Sequence, residues 1–228
     1  MAPMSIIGMS NGQGGTRPGI QGTNGDPSDW WDDENGDLTI QHQNCMWNVH
    51  SAIVKESGWF RAATQDIRFN GVLDVPSFGE VKTANILHEV LAFLHTGEFA
   101  CNVWEEVPSF LTCIHAYFVA EFFEIEALKK EMVSRIKNLS KIVISIYGKD
   151  RKPLWQIGET EEKTHLRSFL RAVTETETKF DWRAKLQKAL YDSGERMAAR
   201  LLELPEFQEF VATEIGKNFS RAIGLRDF

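Results

Sequence analysis

Ordered hydrophobic patterning begins near residue 37. Leu38 and Ile40 alternate with polar neighbours, the period-two signature of a half-buried strand. Met46, Trp47 and Val49 form a second short strand after Gln43-Asn44, a polar pair that suits a hairpin turn only moderately. His50-Ser51 then opens a helix carrying Ala52, Ile53 and Val54, which Gly58 is expected to end, and Trp59-Phe60 continue with Arg61-Ala62-Ala63 as a further helical turn. Val72-Leu73-Asp74-Val75 predicts a third strand, stopped by Pro76.

The period then changes to 3.6. Between Val81 and Leu94, Ile86, Val90, Leu91 and Leu94 fall on one helical face, widened by Leu87 and Phe93, and Gly97 supplies the stop. Val107 to Phe118 is apolar nearly all round and should be central. Ile125 to Leu139 sets Leu128, Met132, Val133 and Ile136 against Lys129, Lys130, Glu131 and Arg135. Leu139 to Tyr147 (LSKIVISIY) alternates β-branched residues, which favours a strand or irregular connector over an extension of the preceding helix. Gly148 to Gly158 is linker-like. Further helices are predicted over Thr164–Phe180, Trp182–Tyr191, Glu195–Leu204 and Glu206–Ile215, with Pro205 at the start of the last.

Composition bears mainly on what is excluded. The 228 residues carry a net charge of −7, which argues against nucleic acid as a direct partner, since phosphate binding needs a concentrated basic surface. Lys149, Arg151 and Lys152 form the tightest basic group, and they read as a solvated loop. Cys45, Cys101 and Cys113 are odd in number and lack a C-x-x-C spacing, so neither a disulfide framework nor a zinc site is encoded, and a reducing compartment fits. The opening MAPMSIIGMS has no basic flank and no long apolar run, and no window approaches a membrane span. The expectation is an intracellular protein, cytoplasmic or nuclear, with no membrane partner.

Residues 1–28 are rich in Gly, Asn, Ser, Gln and Pro, too polar to offset their ordering entropy. The acidic stretch that follows holds Trp30 and Trp31. It suits either a short partner-binding motif or a solvated leader whose tryptophans cover the domain edge. No P-loop, nucleophile elbow or dinucleotide fingerprint occurs, and none of the six histidines is spaced with another His or Cys as a metal ligand. No catalytic residue, cofactor or metal is implied, and the chain is expected not to be an enzyme.

Four pieces in order resemble the BTB/POZ interaction domain. They are Gly36-Asp37-Leu38-Thr39-Ile40; Val49-His50-Ser51-Ala52-Ile53-Val54 running to Ser57-Gly58-Trp59-Phe60; Phe93-Leu94-His95-Thr96-Gly97-Glu98, with His95 where tyrosine is usual; and Ala116-Tyr117 followed by Ile125-Glu126-Ala127-Leu128. The resemblance implies an α+β fold, a small three-stranded sheet with packed helical hairpins over residues 37–138. A leader precedes it (1–36), and a connector (139–160) and a helical region (161–228) follow. That last region loosely resembles the tails of fungal BTB-only proteins. The resemblance further implies protein partners, most concretely a cullin scaffold of a ubiquitin ligase, or alternatively a homodimer or scaffolding role in a nuclear or other assembly. Val103-Trp104-Glu105 fits the family's hydrophobic–x–Glu pattern for cullin contact, although Glu105 and Glu106 would also suit a plain helix start. The region of Ile53, Trp59 and Phe60 lies near the partner subunit in dimeric members.

Overall fold

The structure, a computed structural model, describes residues 36–66, 70–76, 83–99, 109–147, 161–179 and 184–225. It is a mixed α+β fold, mainly helical, with one small sheet at its N-terminal side. The strands are β1 (Leu38–His42), β2 (Cys45–Val49) and β3 (Val72–Asp74), in the order β2-β1-β3. β1 pairs antiparallel with β2, Ile40 opposite Trp47, and parallel with β3, Ile40 opposite Leu73. The two-residue turn is made by Gln43-Asn44, with Gln43 itself at positive φ (54°). Leu38, Ile40, Trp47, Val49 and Leu73 all point inward, as alternation demands.

Behind the sheet come α1 (Ser51–Val54), α2 (Gly58–Thr64), α3 (Thr83–Thr96), α4 (Phe110–Phe122) and α5 (Glu126–Tyr147). Gly58 begins α2 rather than ending α1. The stop belongs to Lys55-Glu56, and Ser57 becomes an N-cap whose hydroxyl accepts from the Phe60 amide. α4 is the central helix, with Phe110, Cys113, Ile114, Ala116, Val119 and Ala120 fully buried. It ends in a Schellman motif: Ile125 N–H reaches the Ala120 carbonyl and Glu124 N–H the Glu121 carbonyl, with Glu124 at φ 57°.

The stretch expected to be a strand or connector, Leu139 to Tyr147, instead continues α5 without a break. Leu139, Ser140 and Val143 are buried while Lys141 and Ile142 face outward, a helical repeat. Packing outweighs the β-branched preference here. The remaining helices are α6 (Glu161–Lys179), α7 (Ala184–Leu202), α8 (Pro205–Ala212) and α9 (Glu214–Ala222). α7 replaces two predicted helices, and α9 lies where the sequence pattern predicts none. α7 packs along α5 and α6 against α4, so all these helices share one hydrophobic core with the sheet.

Candidate interaction surface

Several side chains of the motif hold local structure in place. Asp37, just ahead of β1, accepts from the Ser51 amide (2.6 Å) and the Ser51 hydroxyl (2.7 Å), so it caps α1 from across the hairpin. The Ser51 backbone N–H is the main reason its carboxyl titrates below the usual range. His50 occupies the N-cap position of α1 but makes no side-chain capping bond. Trp47 on β2 donates its indole N–H to His88 Nδ1 on α3 (3.1 Å), and burial holds the His88 pKa down, which keeps that acceptor neutral. After α3, Gly97 at φ 79° lets its amide reach the Phe93 carbonyl (2.8 Å). Thr96 Oγ meanwhile accepts from the Glu98 amide (3.1 Å).

Of the residues expected at a partner surface, Trp59 and Phe60 are described, and they behave differently. Phe60 has no exposed surface and stacks on Phe123 with ring centroids 4.7 Å apart and an interplanar angle of 9°. It belongs to the core, not to a contact surface. Trp59 is half-buried. It meets Phe60 and Phe123 edge-on at 5.0 and 5.2 Å and tilts over the half-buried Phe122 at 5.6 Å. Trp59 and Phe122 therefore present an aromatic step at the surface between α2 and the end of α4. Ser57 fixes that step, since its hydroxyl also donates to the Phe123 carbonyl. The Glu124 carboxylate lies over Gly58, where a Cβ would collide with it. Trp30, Trp31, Val103, Trp104, Glu105 and the Cys101 thiol lie outside the described residues, as does the side chain of Ile53.

An open cleft of about 420 Å³ is lined by Asp37, Ser51, Lys55, Arg61, Thr64 and Gln65. Its carboxylate is already engaged by Ser51, and its other charges are the exposed cations Lys55 and Arg61. Sequence reasoning did not find this cleft, because Lys55, in the turn after α1, and Arg61, on α2, share no motif. Among the described residues no group of three or more His, Cys, Asp or Glu is placed to hold a metal, and no helix is long and apolar enough to cross a membrane. Cys113 is fully buried and Cys45 half-buried.

No protein-family model matches this chain, and no curated protein matches it.

Proposed function

We propose that this chain is a non-enzymatic protein-interaction module of the BTB/POZ kind, acting as an adaptor between a bound partner and a cullin-type ubiquitin ligase. The observation that carries the reading is the β2-β1-β3 sheet with β3 parallel to β1, followed by helical hairpins, in the register where the motif residues fall. Asp37 and Ser57 cap the two short helices, Thr96-Gly97-Glu98 turns the chain after α3, and Ala116 and Tyr117 are buried in the central helix. A fold specified this densely leaves function to the outer surface. There Val103-Trp104-Glu105 is the cullin-facing candidate, and the acidic Trp30-Trp31 leader or the C-terminal helices would collect the partner. Affinity purification of the full chain should recover a cullin, and Glu105→Lys should lose it. Recovery of no cullin by the unsubstituted chain refutes the adaptor role.

A second reading, a homodimeric or scaffolding subunit without a ligase role, draws on the half-buried Trp59–Phe122 step. Its test is the mass by light scattering. A dimer that Trp59→Ala converts to monomer supports it, and a monomer at every concentration removes it.

A further inference from the structure

Ahead of β3 the chain reads Asn70-Gly71, one of four Asn-Gly pairs in the sequence; the other three, at Asn11, Asn24 and Asn35, precede β1. Asn70 is exposed, and its side-chain carbonyl accepts from the Val72 amide (3.2 Å), an Asx turn that folds the side chain back along its own backbone. Gly71 is at φ 90°, and beyond its chain neighbours nothing lies within 4 Å of where a Cβ would stand. Its carbonyl accepts from the Thr39 amide of β1 (2.8 Å). Among the described residues, its own N–H and the Asn70 side-chain nitrogen donate to nothing.

We propose that Asn70 is a site of spontaneous deamidation in the folded chain, and that its isoaspartyl product uncouples β3 from β1. Asparagine is a chemically labile residue. The Gly71 nitrogen gives up its proton to water and attacks the Asn70 Cγ. The Cγ–Nδ2 bond breaks, ammonia leaves with a proton from water, and a five-membered succinimide closes. One water then opens the ring. Attack at Cγ gives aspartate, and attack at the Asn70 main-chain carbonyl carbon gives isoaspartate, with the chain now running through Cβ and Cγ. The Val72 N–H donates to the oxygen on which negative charge gathers during the first attack. Glycine puts no side chain in the way, and no hydrogen bond to its N–H has to break first.

The consequence follows from register. Isoaspartate adds one C–C bond, about 1.5 Å, to the backbone between residues 70 and 71. Gly71 is where the chain first ties to β1, and Val72 and Leu73 then lie opposite Thr39 and Ile40. The Val75 amide donates to the Gln41 carbonyl (2.8 Å), and its carbonyl meets His42 Nδ1 (3.0 Å). β3 is a three-residue strand at the sheet edge, so it has few bonds over which to absorb an insertion. Leu73 and Val75 are the buried side chains that would be displaced.

The test ages the full chain at mildly alkaline pH, folded and in urea, and follows the peptide holding Asn70 by mass spectrometry. An isoaspartate-specific methyltransferase scores the product. Conversion in the folded chain should run within about threefold of the unfolded rate, since no structure has to open for it. The isoaspartyl form, separated by its added charge, should exchange the Thr39 and Val75 amides about tenfold faster or more, with the Leu190 amide of α7 unchanged. Asn70→Ser keeps a short acceptor for the Val72 amide and lacks the reacting group, so on ageing it should hold its Thr39 and Val75 protection. Three results overturn the proposal: conversion more than about tenfold slower folded than unfolded, an isoaspartyl form with full protection at Thr39 and Val75, or the same loss of protection in aged Asn70→Ser.

Discussion

Ser57 has no exposed surface, and its one hydroxyl accepts from the Phe60 amide and donates to the Phe123 carbonyl. Ser57→Ala therefore removes a helix cap and strands a buried carbonyl, and should cost about 2–3 kcal/mol in denaturant unfolding. His88 and Glu89 are neighbours on α3 that respond to pH with opposite sign. The His88 pKa is lowered by burial, so its stabilising effect is complete above its unfolded value near 6.5 and is lost as pH falls below that. Glu89 rises from 4.5 to about 7, so the folded state holds a proton that the unfolded chain has released, and stability falls as pH climbs from about 4.5 through 7. Glu89→Gln should flatten that descending limb and gain at most about 3 kcal/mol at alkaline pH, read from urea midpoints. An unchanged slope would mean that Glu89 is solvated in solution.

At the scale of elements, legibility followed the strength of local pattern. The hairpin, β3, α3 and α4 were readable because alternation or a wide apolar stripe coincides with a turn residue such as Gly97. The extension of α5 was not, since Ile142, Val143 and Ile144 favour strands locally, and the burial of Leu139, Ser140 and Val143 along one helical face makes the helix the better state. α7 looked broken at Asp192-Ser193-Gly194. There the small residues are packing devices: Ser193 donates to the Ala189 carbonyl (2.7 Å), and Gly194 leaves room for the Phe169 and Phe219 rings. The aromatic step was half legible, because Trp59 and Phe60 stand side by side in sequence but only the register of α2 decides that Phe60 turns inward. α9 was not read although its apolar positions, Ile215, Phe219 and Ile223, recur four apart as a helical face requires; at nine residues the segment is too short for that repeat to stand out.

Two substitutions test how these elements are joined. Gly216 sits where a Cβ would fall on the Phe210 carbonyl, so Gly216→Ala must part the α8–α9 corner and should cost about 3 kcal/mol or more. The buried Glu162 of α6 is held by both Arg200 Nε (2.6 Å) and Nη2 (2.7 Å) from α7. Arg200→Met alone strands that charge and should cost about 3–5 kcal/mol, whereas adding Glu162→Leu should recover most of the loss, a coupling that a double-mutant cycle measures.

At the scale of the whole molecule, the C-terminal helices share one buried core with the sheet and the central helices. Phe110 at the start of α4 meets Phe169 of α6 edge-on at 5.1 Å, and the Leu111 amide donates to the Ser168 hydroxyl (3.2 Å). His115 of α4 lies 2.8 Å from Glu175 of α6, and Ser193 of α7 reaches the Ile136 carbonyl of α5 (3.5 Å). The two faces that meet are built from fully buried residues on both sides: Ile136, Leu139 and Val143 from α5, and Leu166, Phe169, Leu186 and Leu190 from α6 and α7. Taking the C-terminal helices away would expose the flank of the central helices, a contiguous apolar patch of the kind that drives aggregation. The full chain should accordingly unfold in one transition whose midpoint is the same by near-ultraviolet and far-ultraviolet circular dichroism. A protein ending at Tyr147 should bind a hydrophobic dye strongly or fail to stay in solution. A chain cut between residues 148 and 160, by contrast, should keep its two pieces together through size exclusion, because what joins them is a buried helix interface and not the connecting peptide. If the pieces separate under native conditions, or if the 1–147 fragment is soluble and dye-silent, the C-terminal helices are an independent unit.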